Sequence, residues 1–217
     1  MQQEAIVANK IKDGITAPKG FRSAGIHCGI KKSRKDLALI ISDLPATAAA
    51  VFTLNKVQAA PVLISKKHLD ESKTFRAIII NSGNANACTG ERGYQDAVTM
   101  ANETAKVLGV SSKEIFVSST GVIGEPLPIV KIINGIHQIT KQIDESEYMS
   151  TAEAIMTTDT FVKSTSSTFI IDGKEVSIGG ISKGSGMIHP NMATMLAFIT
   201  TDAAIEKNVF QDLLKNV

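Results

Sequence analysis

The sequence predicts a mixed α/β or α+β fold, in which short apolar strands alternate with amphipathic helices. The clearest strand is the apolar run 75–80, which is typical of a strand buried on both faces. The clearest helix spans about 94–108, where alanines recur on one face, and Gly109 follows it as a C-terminal cap. With 217 residues, the chain is long enough for one large domain or two small ones.

The other predicted elements follow the same periodicities and turn signals. Further strands are predicted at 36–41, 49–53, 61–65 and 114–119, and further helices at 128–142 and 148–157. The Asp172-Gly173 step predicts a hairpin turn. Asp202 is interpreted as the N-cap of a last helix with an apolar face at Ile205, Val209, Leu213 and Val217. Because the chain stops on that face, we expect it to be the front portion of a longer protein or an unusually truncated one.

Composition excludes several classes of protein. A net charge of +2 and a pI near 8.5 are too mild to indicate a nucleic-acid partner, and the basic cluster at 31–35 is interpreted as a solvated turn. The two cysteines, Cys28 and Cys88, fit a reducing cytosol. No signal peptide or membrane-length apolar stretch is apparent, so we expect a cytoplasmic protein without a membrane partner.

The histidines give no indication of a metal site. They are His27, His68, His137 and His189, and neither their spacing nor that of the cysteines matches a metal-ligand pattern. The sequence places no histidine beside Cys88, which argues against a cysteine hydrolase. We therefore expect no metal site.

The most informative segment is 184–202, a glycine-rich loop that becomes an apolar strand after Ala193-Thr194. Self-cleavage before Thr194 would expose an N-terminal threonine, whose own α-amine can act as base for its hydroxyl. That amine has a pKa of about 8, so much of it is available as base in neutral water. On spacing alone, the better explanation of Thr194 is a β-branched residue suited to a strand.

Three other polar sites carry candidate chemistry, each with a simpler structural explanation. At Thr120-Gly121 a strand ends in a turn that can present an N–H and a hydroxyl to an oxyanion, or that merely ends the strand. Lys183, in the glycine-rich segment 179–186, can pair with a substrate carboxylate or be a solvated loop charge. The hydroxyl-rich segment 156–160 can line a pocket or cap a helix.

Four segments together resemble one enzyme family. They are Ser119-Thr120-Gly121-Val122-Ile123-Gly124, Met156-Thr157-Thr158-Asp159-Thr160, Lys183-Gly184-Ser185-Gly186-Met187 and Asn191-Met192-Ala193-Thr194-Met195-Leu196. The combination resembles the glutamate N-acetyltransferases, also called ornithine acetyltransferases, which are bifunctional enzymes of arginine biosynthesis. The matches run to Asp202 in the family's order.

The resemblance implies a precursor that cleaves itself between Ala193 and Thr194. Residues 1–193 would then form the α chain, and 194–217 the start of a β chain whose nucleophile is Thr194. By the family pattern, Thr120 and Gly121 form the oxyanion hole, whereas Thr157, Lys183 and Thr194 contact the substrate. The implied fold is the layered α+β sandwich of the self-cleaving ornithine acetyltransferases.

The implied reaction moves an acetyl group from N-acetylornithine to glutamate through an acetyl-threonine. No cofactor is implied, although some members of the family also use acetyl-CoA as donor. The implied assembly is an α2β2 heterotetramer in the cytoplasm, with the β chain of the same precursor as partner.

The chain departs from the family in its length. Family members are roughly twice as long and carry further substrate contacts beyond the position of Val217. We therefore expect little or no transferase activity from the isolated chain. Two alternatives stay open. One is a related self-cleaving amidohydrolase or aminopeptidase, although that relative uses serine where this chain has Thr194. The other is a non-catalytic fragment that assembles with a missing half.

Overall fold

A computed structural model describes residues 8–184 and 195–216. Within these ranges the chain forms eight strands and five α-helices. The strands are β1 (Asn9–Ile11), β2 (Phe21–Ile26), β3 (Leu37–Ala46), β4 (Phe75–Asn84), β5 (Ile115–Val122), β6 (Lys163–Ile171), β7 (Lys174–Lys183) and β8 (Leu196–Thr201). The helices are α1 (Ala60–Glu71), α2 (Gly90–Leu108), α3 (Ile129–Ile139), α4 (Tyr148–Ile155) and α5 (Lys207–Lys215).

The strands form two four-stranded sheets. The first sheet has the order β2-β3-β4-β5, antiparallel except for the parallel pair β4 and β5, between which α2 is the crossover helix. The second sheet has the order β1-β6-β7-β8 and is antiparallel throughout. The predicted mixed class, a layered α+β arrangement, is confirmed.

The core lies on both faces of the first sheet. On β3, the side chains of Leu37, Leu39 and Ile41 pack towards the helices α1, α2 and α3. The intervening Ala38 and Ile40 face the opposite way, into a second cluster with α4 and the second sheet. This alternation of period two places α4 between the sheets and buries β3 on both faces.

Two predicted strands are wrong. Segment 61–65 is the start of helix α1, in which Ile64, Ser65 and His68 form the buried face. Ser65 Oγ donates to the carbonyl of Val117 at 2.8 Å, so the helix is held directly against β5. The short apolar run with β-branched residues favoured a strand, but Pro at the start of the segment also fits a first helical turn. Segment 49–53 has no regular structure.

Two polar segments also differ from prediction. Residues 179–183 belong to strand β7 rather than to a loop. The glycine at position 179 lets this strand lie against the backbone of the N-terminal region. A Cβ on Gly179 would overlap the carbonyl oxygen of Gly14. Asp202 is not a helix N-cap: its carboxylate accepts from the amides of Lys19 and Ser177, and Glu206 caps α5.

Local turn signals predicted their structures correctly. Asp172 and Gly173 have φ of 49° and 72° and connect β6 to β7 as a tight hairpin. Gly109 has φ of 68° and caps α2 in the left-handed conformation. The apolar face of α5 is less buried than its pattern indicated, since Val209 and Leu213 are each 53% exposed. In the described part of the chain, no helix has the length and apolar character needed to cross a membrane.

Substitution of Ile79 by alanine tests the core. Ile79 is fully buried in β4, at the centre of the first sheet, so Ile79→Ala should lower the free energy of unfolding by about 2–5 kcal/mol. The matched control is Ile170→Ala, at a strand position that is 57% exposed, with an expected loss within about 0.5 kcal/mol. Urea denaturation measures both, and equal losses would contradict the layering.

Candidate active site

The candidate site lies where the ends of β5 and β7 meet, and so joins the two sheets. Lys183, the last residue of β7, donates from Nζ to the hydroxyl oxygen of Thr120 at 3.2 Å. Only 6% of Lys183 is exposed, so its ammonium group is directed into the protein rather than into solvent. The interpretation of Lys183 as a solvated loop charge is therefore wrong. Two of the predicted site residues are thus in direct contact.

Gly121 occupies a backbone position that other residues cannot adopt without strain. Its φ is 136°, and a Cβ there would overlap the carbonyl carbon of Gly83 and the amide nitrogen of Asn84 on β4. The parallel partner strand therefore approaches the Thr120-Gly121 turn closely. This approach requires glycine at position 121, whatever ligand the turn receives.

Two buried asparagines support the turn from beneath. Ser119 Oγ donates to Asn81 Oδ1 at 2.6 Å, and Asn81 Nδ2 donates to the carbonyl of Asn84 at 2.8 Å. Asn84 Nδ2 in turn donates to the carbonyls of Glu125 and Pro126 at 3.0 and 3.1 Å. Because hydrogen-bonded networks of buried side chains are rigid, this network fixes both the Ser119 side and the Glu125-Pro126 side of the turn.

The Thr157 turn, residues 156–160 between α4 and β6, is held by two cations at its carbonyl groups. Lys31 Nζ donates to the carbonyl of Met156 at 2.7 Å, and an Arg34 guanidinium nitrogen donates to the carbonyl of Thr157 at 2.9 Å. The interpretation of the basic cluster as a solvated turn is therefore wrong for Lys31, which is half-buried, whereas Arg34 is exposed as that interpretation predicts. Sequence spacing gave no signal for this contact, since more than 120 residues separate the partners.

The loop that carries Lys31 is folded around a buried carboxylate. Asp36 is fully buried and accepts from the amides of Cys28 at 2.6 Å, Gly29 at 3.2 Å and Lys31 at 2.8 Å. Burial, and then the negative charge of Asp36, raise the pKa of the Cys28 thiol to about 12. Cys28 is therefore protonated at neutral pH and cannot act as a thiolate nucleophile.

Asp159 connects the Thr157 turn to the end of β7. Its Oδ2 accepts from the Thr157 amide at 3.3 Å, and its Oδ1 accepts from the Gly184 amide at 2.9 Å and from Lys163 Nζ at 2.6 Å. Burial alone would raise the pKa of Asp159, but the bonds from Lys163, Gly184 and Thr157 together lower it to about 2. Asp159 is therefore a carboxylate at neutral pH, and it links Thr157 to the residue that follows Lys183.

The site carries an excess of positive charge. Burial lowers the pKa of Lys183, and the charge of Asp159 opposes that effect. Burial and the charge of Arg34 lower the pKa of Lys31 to about 8, with a further contribution from Lys183. A bound anion would favour the charged form of both lysines and so offset these effects.

The structure thus brings Thr120, Gly121, Thr157 and Lys183 to one region. Their chemical roles stay predictions. The predicted cleavage site, Ala193 and Thr194, lies outside the described residues, as does His189. Within 8–184 and 195–216, no group of three histidine, cysteine or acidic side chains is arranged to hold a metal ion.

Comparisons with known proteins agree with this fold. Residues 22–217 match the model of the ArgJ family. The chain belongs to the ArgJ family. The arginine biosynthesis bifunctional protein ArgJ of Caldanaerobacter subterraneus is 50% identical over 208 residues, which cover 95% of this chain and 51% of that protein. The chain spans about half the length of the curated ArgJ relatives it matches.

Solved structures of ArgJ proteins share the fold. The crystal structure of the Bacillus halodurans arginine biosynthesis bifunctional protein has a TM-score of 0.83 and 45% identity, and the match covers 89% of this chain and 100% of that chain. The ornithine acetyltransferase of Mycobacterium tuberculosis, solved in complex with ornithine, has a TM-score of 0.78 and 38% identity over 88% of this chain and 100% of that chain.

Substitution of Gly121 tests the close approach of β4 to the turn. Gly124 also has a positive φ, of 84°, but nothing lies within 4 Å of an added Cβ, so Gly124→Ala should cost about 1–2 kcal/mol from backbone strain alone. Gly121→Ala should cost about 1–3 kcal/mol more, because the overlap adds to the strain. Chemical denaturation gives both free energies of unfolding, and equal costs would argue against the close approach.

The pH dependence of the free energy of unfolding in acid tests the environment of Asp159. The pKa of Asp159 is about 2 in the folded chain and about 3.8 in the unfolded chain, so its stabilisation is complete above about pH 5 and is lost as the pH falls through 2. Between these limits the wild-type chain should lose roughly 2 kcal/mol from this carboxylate. Asp159→Asn should show a correspondingly shallower decline when the free energy of unfolding is measured against pH. Parallel curves would contradict the assignment.

Proposed function

We propose that this chain supplies the oxyanion-binding and substrate-binding residues of a glutamate N-acetyltransferase that takes its acetyl group from N-acetylornithine. The observation that carries the proposal is the contact between Lys183 Nζ and Thr120 Oγ1. It joins the residue that resembles the family's substrate lysine to the residue that resembles its oxyanion donor. The match to the ArgJ family supports the same conclusion.

The contact makes Thr120 a better hydrogen-bond donor. Because the ammonium group of Lys183 donates to the Thr120 oxygen, the hydroxyl proton is directed elsewhere and is polarised by the neighbouring charge. Together with the N–H of Gly121, this hydroxyl can stabilise a developing oxyanion. Loss of one such donor typically costs about 3–4 kcal/mol of transition-state stabilisation.

The proposed reaction has two acyl-transfer steps. Thr194 Oγ attacks the acetyl carbon of N-acetylornithine, and the α-amine of Thr194 accepts the hydroxyl proton. The oxyanion is held by Thr120 and Gly121, the C–N bond breaks, and ornithine leaves with the proton. The amine of glutamate then attacks the acetyl-threonine ester, and N-acetylglutamate and free Thr194 result.

The charge of the site suits the substrates. N-acetylornithine and glutamate each carry an α-carboxylate. Lys183 is a buried cation, Lys163 is close enough to affect its pKa, and Lys183 in turn affects the pKa of Lys31. The resulting positive potential attracts a carboxylate into the site. Thr157 belongs to the same site because Asp159 links its amide to that of Gly184.

Self-cleavage between Ala193 and Thr194 is part of the proposal. The match to the B. halodurans structure covers that whole chain and 89% of this one. Residues 1–193 would make up the same share of the 217 residues, and this equality of length supports the proposed α chain. We propose further that the β chain is its partner in an α2β2 enzyme of the cytoplasm, with no bound cofactor and with acetyl-CoA as an alternative donor.

The proposal is tested by expressing this chain alone and together with the C-terminal half of the Bacillus subtilis relative. That relative is 49% identical to this chain over the shared region. Intact mass should show fragments 1–193 and 194–217 from cleaved chain, and Thr194→Ala should stay uncut. Transfer of a ¹³C-acetyl group from N-acetylornithine to glutamate should appear in the combined preparation, with little or none from the chain alone. Thr194→Ala should lower transfer by at least about 10³-fold.

The control is Thr194→Ser, which keeps a hydroxyl and an α-amine and should retain part of both activities. Cleavage of Thr194→Ala at the same bond would contradict the nucleophile assignment. Release of acetate without transfer to glutamate would instead identify a hydrolase. A combined preparation that neither cleaves nor transfers would support a non-catalytic assembly role.

A further inference from the structure

Asp159 occupies the centre of the candidate site, yet no role follows for it from the proposed reaction. We propose that Asp159 is the positioning residue of this site: its carboxylate holds the Thr157 turn against the end of β7 and keeps Lys183 directed at Thr120 as a cation. The inference rests on the proposed function only in treating Lys183 and Thr120 as substrate-binding and oxyanion-binding groups.

The two carboxylate oxygens act on different elements. Oδ2 holds the Thr157 amide of the turn that follows α4, whereas Oδ1 holds the Gly184 amide that directly follows β7. Because Gly184 is bonded to Lys183, fixing its amide also fixes the direction in which the Lys183 side chain leaves the strand. The Asp159 side chain is only 1% exposed, so water does not compete for these bonds.

The carboxylate is also the negative charge that offsets the cations of the site. Two charged groups act on Lys183, and they come from separate elements: Asp159 follows α4, and Lys163 begins β6. Lys183 in turn acts on Lys31, which lies between β2 and β3. Asp159 favours the charged form of Lys183, whereas Lys163 and burial disfavour it. Without Asp159, the ammonium groups of Lys163 and Lys183 would repel each other in a poorly solvated region.

Asp159→Asn separates the charge from the shape of the side chain. The amide keeps an oxygen for the Gly184 amide and for Lys163, but it carries no charge, and its NH₂ group cannot accept from the Thr157 amide. The variant should therefore lower the proton affinity of Lys183 while most of the local packing remains.

The experiment is competitive acylation of the 217-residue chain with acetic anhydride across a pH series, without any substrate. Modification of Lys183 is read by mass spectrometry of peptides and is referred to the exposed Lys10 in the same samples. Only the neutral amine reacts, so the midpoint of the pH profile reports the proton affinity of Lys183. The plateau at high pH reports its accessibility.

In Asp159→Asn the Lys183 midpoint should move to lower pH, so that Lys183 reacts faster than in the wild-type chain at neutral pH. The matched control is Asp144→Asn, which removes a carboxylate that also accepts from a backbone amide, that of Ser146, but outside the site. This control should leave the Lys183 midpoint unchanged. Since the measurement needs no turnover, it stands even if the proposed acetyl transfer fails.

An unchanged midpoint in Asp159→Asn would overturn the proposal, whether or not the plateau rises, because a mere structural brace alters access and not proton affinity. If the variant unfolds, its Lys183 midpoint moves to higher pH, towards a solvated lysine. The decision then passes to Asp159→Glu, which keeps the charge. A midpoint at the wild-type value supports the proposal, and one at lower pH overturns it.

Discussion

Lys183 carries a positive charge at a position where only 6% of the residue reaches solvent, and the arrangement of the site depends on how that charge is accommodated. A buried ammonium group without partners costs several kcal/mol. Here the Thr120 hydroxyl accepts from it, and Asp159 supplies a nearby negative charge. Thr120 lies on β5 and Asp159 in the turn after α4, so stabilising the charge of Lys183 requires β7, β5 and this turn to come together.

Glycine residues allow the backbones of these elements to come into close contact. A Cβ on Gly179 would overlap the carbonyl oxygen of Gly14, and one on Gly25 would overlap the carbonyl of Ser150 in α4. At the site itself, Gly121 lies against β4 in the same way. Small residues at these points let two sheets and a helix approach closely enough for Lys183 to reach across the boundary between them.

Local patterns predicted much of the framework, but not the parts that depend on neighbours. The run 75–80 and the Asp172-Gly173 turn are correct because their structure follows from short-range sterics and burial. The segment 61–65 is a helix because its buried face packs on β5, a contact that the sequence of the segment alone does not predict. Nothing in the local sequence indicates that Lys31 and Arg34 contact the Thr157 turn, since their acceptors lie more than 120 residues away.

The sequence by itself determined the mixed fold class, the hairpin and helix ends, and the four segments that resemble the acetyltransferases, because these depend on residue type and short spacing. Only the tertiary structure decided that Lys183 lies buried at the end of a strand, in contact with Thr120. It also revealed Asp159 as the link between Thr157 and Gly184. Hydrogen bonds and charge compensation act through space, so residues far apart in sequence acquire a shared role only once packing places them within about 3 Å of one another.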